Sequence, residues 1–336
     1  MKRSIYIFII FILSACSSLQ ATEETDCCLP VNFTAPAPTE TQTPVATFTE
    51  TPRPTLSPEE QAEIYAFETK MAEYPSICNI GYPYHFSPNG LWREEFCYSE
   101  SDKSLVLTVS NKNTKVFWKM LYKDYIPKGD FVSDGGMSIS HWSNDERYAY
   151  FNAHMSGSGG GCFLAYNSDH GWGVFRLDLQ TGNVEEILPV FDNRIVFYDF
   201  SFSPTDRRLV YRRSQEDIVI LDMKTGSTLR VNHYKDFEDE GGFLWSEDGL
   251  KFIYSTGTFT SNSEIYSLRL VDVSTGDETM LLESESTTLV PGNCYVAKEW
   301  KDSNTILIEQ NQYTNQDIIE TTLEYDLITN TFQVIP

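Results

Sequence analysis

The residues best suited to chemistry in this chain are gathered in one stretch, "AHMSGSGGGCFLAYNSDHGWG", residues 153 to 173. His154, Asp169 and His170 bring imidazole and carboxylate donors, which suit zinc and similar ions. Three such residues also meet by chance in any polar loop. Trp172, with Tyr166 nearby, offers an aromatic platform for a sugar or a peptide, or else packs beneath the loop. The glycines at 157 and 159 to 161 make the stretch flexible, but they spell no phosphate loop, and no strand-to-helix switch surrounds them. A second candidate is the acidic run "KDFEDEGG", residues 235 to 242. Asp236, Glu238, Asp239 and Glu240 are hard oxygen donors of the kind Ca²⁺ takes. The longer alternating pattern of an EF-hand is absent, so a solvated acidic loop is the default, and no other cofactor is implied.

Both stretches sit between short strands that recur. "HFSPNGLW" at 85 to 92, "HWSNDERYAYF" at 141 to 151, "SFSPTDRRLVY" at 201 to 211 and "LWSEDGLKFIY" at 244 to 254 each place an aromatic residue before a polar turn and an apolar strand after it. "EWKDSNTILI" at 299 to 308 is a decayed fifth copy. The turn serines Ser87, Ser143, Ser203 and Ser246 lie 56, 60 and 43 residues apart, and Lys301 follows 55 further on. A second motif runs in phase: "LDLQTG" at 177, "LDMKTG" at 221, "VDVSTG" at 271 and "YDLITN" at 325, with a weaker "VSNKNT" at 109. Its last residue is Gly or Asn, the types that best tolerate positive φ in a hairpin.

Each unit therefore reads as strand, polar turn, strand, variable loop, strand, Thr-Gly turn, strand. Four-stranded units at such a period predict an all-β fold, a β-propeller of five blades, with six as the alternative. Connections within an antiparallel blade alternate between the two ends of its strands. The polar and Thr-Gly turns thus share one face of the disk, and the variable loops and blade links share the other. Function usually resides in variable loops on a rigid frame, which favours the face bearing 153 to 173 and 235 to 242.

The paired motifs resemble the TolB-like, WD40-like repeat family, known for "SPDG" turns and "TG" hairpins. The resemblance covers residues 79 to 336. It implies a propeller that works through protein contacts. "SPNG", "SNDE", "SPTD" and "SEDG" depart from the family turn by one or more letters, which bears on blade count more than on fold.

The N-terminal part reads differently. "MKRSIYIFIIFILSAC" has a basic flank and an apolar core too short to span a bilayer, which needs about 20 residues. It fits a secretory signal over residues 1 to 15. Leu13-Ser14-Ala15-Cys16 resembles the lipobox of bacterial lipoproteins, which implies acylation of Cys16, a membrane anchor through that residue, and a position on the extracytoplasmic side of a bacterial envelope. Residues 16 to 56, rich in Pro and Thr, form a disordered tether. A short helix is predicted over 57 to 78, capped by Ser57 and Pro58, with Ile64, Phe67, Met71 and Tyr74 on one face.

Removing residues 1 to 15 takes away Lys2 and Arg3, so the net charge moves from −23 to −25. So acidic a chain is a poor nucleic-acid binder. An exported chain may oxidise its cysteines. Cys78 and Cys97 flank the "SPNG" turn symmetrically and are a candidate disulfide. Cys162 and Cys294 both fall in variable-face segments and are a second candidate. Three functions remain in view: a module binding a protein, peptide or glycan, a glycoside-hydrolase-like enzyme with carboxylates in the axial pocket, and a structural envelope lipoprotein. A peptidase of the prolyl-oligopeptidase kind is excluded, since the chain holds no GxSxG and has no room for a hydrolase domain.

Overall fold

The computed structural model describes residues 69, 73–74, 76–78, 85–128, 135–155, 169–191, 198–213, 217–232, 239–259, 263–287, 293–313 and 318–335. Among them the architecture is all-β, with five antiparallel sheets arranged as propeller blades. Blade one contains β1 (Trp92–Ser99), β2 (Ser104–Asn111) and β3 (Phe117–Leu121). Residues 85 to 87 form its inner edge, where Phe86 bridges to Arg93 and the Glu94 N–H donates to the His85 carbonyl at 2.9 Å. Blade two contains β4 (Gly135–Trp142) and β5 (Tyr148–Met155); its chain then lays β6 (Asp169–Gly171) elsewhere and returns as β7 (Val174–Asp178) and β8 (Val184–Leu188). Blade three is β9 (Tyr198–Phe202), β10 (Arg208–Arg213), β11 (Val219–Asp222) and β12 (Thr228–Arg230). Blade four is β13 (Asp239–Trp245), β14 (Lys251–Phe259), β15 (Ser263–Asp272) and β16 (Glu278–Thr287). Blade five is β17 (Asn293–Trp300), β18 (Thr305–Tyr313), β19 (Ile318–Asp326) and β20 (Thr331–Ile335).

The polar turns form because their serines cap them. Ser87, Ser143, Ser203 and Ser246 each accept the backbone N–H five residues on, at 2.9 to 3.1 Å. Each hydroxyl also meets the side chain two residues on: Asn89, Asp145, Thr205 or Asp248. The fourth turn residue is left-handed, at φ 68° for Gly90, 49° for Glu146, 58° for Asp206 and 65° for Gly249. The decayed fifth turn is one residue tighter, its Lys301 N–H reaching Thr305 O at 2.9 Å.

The second motif works through its leading residue. Asp178, Asp222 and Asp326 each accept two backbone N–H groups of their own turn at 2.7 to 3.0 Å. Asn111 does the same in blade one. Gly182 at φ 77° is doubly required, because a Cβ there would lie 2.4 Å from the Trp118 ring.

Alternation along each strand sends one set of side chains to each neighbouring blade. Trp92, Leu107 and Met120 meet Met137, Phe151 and Leu177 between blades one and two. Tyr150, Val174, Phe200 and Leu209 fill the next gap. Val210, Phe243, Phe252 and Val271 join blades three and four, and Ile253, Leu268, Tyr295 and Ile308 join four and five. Of the segment read as a helix over 57 to 78, Thr69 is helical, and most of the rest lies outside the described residues, as do the signal, Cys16 and the tether.

Candidate functional site

The insertion of blade two ends in β6, and β6 does not pair within blade two. It lies antiparallel to β9 as a fifth strand on the axial edge of blade three, with His170 opposite Asp199. Two contacts tie it back to blade two: the Trp172 N–H donates to Ala153 O at 3.0 Å, and Asn152 donates through Nδ2 to the His170 carbonyl. Asn152 is held in turn by Ser140, whose hydroxyl donates to its Oδ1 at 2.5 Å. A Cβ at Gly171 would meet Asn152 at 2.7 Å, so this stretch of β6 has room only for glycine.

The same register extends one strand outward, since Asp199 is opposite Arg212 on β10. His170, Asp199 and Arg212 therefore form a row across three strands on one face of the sheet. The His170 Nδ1 donates to Asp199 at 2.5 Å, while 53% of the His170 side chain stays exposed and Asp199 is buried. Arg212 is buried at 4% exposure. A buried carboxylate that contacts an imidazole in this way sets its orientation.

His154 flanks this row from blade two. A Cβ at Gly136 would meet its Nε2 at 2.8 Å, so the ring lies against the inner strand β4. Burial, and then the nearby His170, hold its pKa below the ordinary histidine value. It feels His170 without joining it. Gly171 faces blade two, and strand alternation turns His170 to the other side. Among the described residues, no three His, Cys, Asp or Glu side chains are grouped to hold a metal ion.

The other sequence candidates are distributed as follows. Trp172 is no platform: it is 2% exposed and packs 6.5 Å from the Tyr122 ring, because it follows β6 into the cluster between blades one and two. Tyr166, Asp236 and Glu238 lie outside the described residues, and Asp239 and Glu240 open β13. Cys78 and Cys97 form a disulfide with Cα atoms 5.9 Å apart. Cys294 is disulfide-bonded as well, and Cys162 lies outside the described residues. Among the described residues, the buried carboxylates of the inner two strands include Glu94 and Asp199, both in contact with histidine, and Glu95, which pairs with Arg93. Glu94 contacts His85 Nδ1 at 2.7 Å and accepts the Ile139 N–H at 2.8 Å.

Asp199, Arg212 and Asn152 escaped the sequence reading. The alternation of Tyr198, Phe200 and Phe202 in "YDFSF" marks Asp199 as a polar residue on an otherwise aromatic inner strand. The pairing of β6 with the following blade carries no such mark.

The two ends of the blades differ in chemistry. At the turn face, Trp245 donates from its indole to Ser201 O at 3.2 Å, and His141 stacks on Phe202 at 4.8 Å. At the insertion-bearing end, Thr258 Oγ1, Asn293 Oδ1 and Asn311 Oδ1 are buried without hydrogen-bond partners. Such groups call for solvent or ligand.

No protein-family model matches the chain, and no curated protein matches it. Among solved structures it is similar to the hydrazine synthase of Kuenenia stuttgartiensis, at 13% identity over 75% of this chain and a TM-score of 0.43. The chain spans 65% of the length of that protein. It is similar at 14% identity to a TolB candidate from Agrobacterium tumefaciens, over 62% of this chain and 67% of that one, with a TM-score of 0.37. An oligogalacturonate lyase from Vibrio parahaemolyticus is 9% identical over 77% and 75%, with a TM-score of 0.34. Likenesses this distant assign no chemistry.

Proposed function

We propose that the chain is a bacterial envelope lipoprotein whose propeller binds a peptide, protein or glycan on its insertion-bearing face. The observation that supports this best is the placement of His170: an insertion from blade two delivers it to the axial edge of blade three, where Asp199 orients it and half of its side chain stays exposed. The unpartnered acceptors at the same ends of blades four and five favour a ligand rich in hydroxyl or amide donors. The anchor is Cys16, acylated, with residues 16 to 56 as the tether on the extracytoplasmic side. Nucleic acid is excluded by charge, and an organising role in the envelope would use the same face.

A second reading rests on the same pair. An imidazole held by a buried carboxylate is suited to general acid–base work. The glycosidase version has less support, because Glu94 and Asp199 are each committed to a histidine and Glu94 also to a backbone N–H.

The test is a thermal-shift panel of Ca²⁺, chelator, peptides and cell-wall glycan fragments on the mature protein. A bound ligand at a hundred times its Kd adds about 2.7 kcal/mol, roughly 5 °C or more for a chain of this size. A shift with a peptide or glycan supports the reading, a shift with Ca²⁺ alone moves the site to residues 235 to 242, and bond cleavage of the ligand establishes the enzyme. Metabolic palmitate labelling that survives Cys16→Ser would remove the anchor.

A further inference from the structure

Blade one has two faces, and they are built differently. Trp92, Glu94 and Phe96 of β1 face blade two, where Glu94 holds the Ile139 N–H and Phe96 joins the apolar cluster. Arg93, Glu95 and Cys97 alternate onto the other face. Apolar clusters join blades one to two, two to three, three to four and four to five; among the described residues none joins five to one. The face of blade one that would meet blade five carries an ion pair instead. Arg93 and Glu95 are 3.1 Å apart, with side chains 2% and 1% exposed.

The short segment before the propeller lies against this pair. Tyr74 sits over Arg93, whose guanidinium is 5.4 Å from its ring. The Ser76 hydroxyl donates to the Glu95 carboxylate, with oxygens at 2.6 and 2.8 Å. Cys78 is bonded to Cys97. Each contact spans 19 residues, so residues 74, 76 and 78 follow residues 93, 95 and 97 rung by rung along β1. The Tyr74 O–H donating to Gly90 O and Lys115 Nζ donating to the Glu73 carbonyl at 2.6 Å extend the contact at the start of the strap.

We propose that residues 73, 74 and 76 to 78 belong to a redox-latched strap against the closing face of blade one. The covalent rung lies at one end, and the two other rungs are polar or cation–π contacts of modest strength. A dithiol reductant would exchange with the latch: its two sulfurs form a new disulfide while Cys78 and Cys97 each take up a proton and become thiols. The strap then detaches from Arg93 and Glu95, while the four apolar interfaces hold the rest of the blades.

The experiment is hydrogen exchange on the full oxidised chain and on its C78S, C97S and C78S/C97S variants. Variants are preferred to reductant because Cys294 is also disulfide-bonded. The amides of 73, 74 and 76 to 78 are expected to exchange at least about tenfold faster in the variants, with β10, β14 and β18 unchanged. Unchanged strap protection would overturn the proposal, and so would equal loss across all blades, which would make the bond a staple of the whole fold. Should the variants fail to fold, Y74F in the oxidised chain, which loses only the Tyr74 O–H contact to Gly90 O, keeps the proposal open to refutation. The latched strap is expected to retain its protection in Y74F within about threefold, and release of the strap with the disulfide intact would show that the bond is not the latch.

Discussion

Glu146 and Asp206 stand where the other turns carry Gly90 and Gly249, at φ values that favour glycine. Their side chains explain the departure. Glu146 Oε1 accepts the Asn89 N–H of the preceding blade at 2.8 Å, and Asp206 accepts the Asn144 N–H and contacts His141, both at 2.6 Å. Each carboxylate thus ties one turn to the next around the disk. Asp206→Ala is expected to cost about 2 kcal/mol, from lost charge-assisted hydrogen bonds and an alanine at positive φ. Asp206→Gly should cost about 1 kcal/mol less, since only the clamp is lost. Urea unfolding checks both, and equal stability of the two variants would refute the strain. The histidines differ in a way that titration reads directly. The hydrogen bond to Glu94 pushes His85 above its ordinary value, and burial holds His154 below it. The contribution of His85 to stability is therefore full below about pH 6.5 and lost as pH rises through its raised folded value. NMR should find the His85 midpoint above that of His154, and reversal would contradict the assigned contacts.

At the scale of elements, the turn is the unit that the chain repeats. The aspartate leading each Thr-Gly turn matters more than the Thr or Gly that makes the motif visible. In the strongest case, Asp222 is pushed down to about 2, chiefly by the Thr225 N–H and also by Arg207. Asp145, Asp178, Asp248 and Asp272 are lowered as well. A depressed folded pKa adds stability above about pH 4 that is lost as pH falls toward 2. The melting temperature should drop steeply in that window, and Asp222→Asn should flatten the drop without unfolding the blade. Asn111 already performs the role uncharged. An unchanged acid profile in Asp222→Asn would show that the turn contacts do not differ between folded and unfolded chains. The blades were legible because serine caps, left-handed residues and strand alternation are local, so each leaves its trace within ten residues. The fifth turn read as decayed because Lys301 replaces the capping serine and the loop is one residue tighter. β6 left no trace, because three residues paired with a neighbouring blade obey no local pattern. Trp172 had two readings, platform or packing beneath the loop, and its burial selects packing; the choice depends on where β6 goes, which "HGWG" does not state.

Across the whole molecule the two faces of the disk divide the labour. The turn face is tied, with indole wedges and carboxylate clamps running from blade to blade. The insertion-bearing face holds the exposed imidazole of His170 and the buried acceptors of Thr258, Asn293 and Asn311. Sequence topology had already assigned the loops to these faces, and it favoured the same one. It missed the row of His170, Asp199 and Arg212, because register across three strands is a property of the folded sheet. The most direct test compares one ligand on three proteins: wild type, His170→Ala, and Asp206→Asn as a variant of the opposite face. Calorimetric titration with the panel member that gives the largest thermal shift should show binding weakened about tenfold or more in His170→Ala, corresponding to 1.4 kcal/mol, and unchanged in Asp206→Asn. Full affinity in His170→Ala, with loss in Asp206→Asn, would place the site on the turn face and contradict the account.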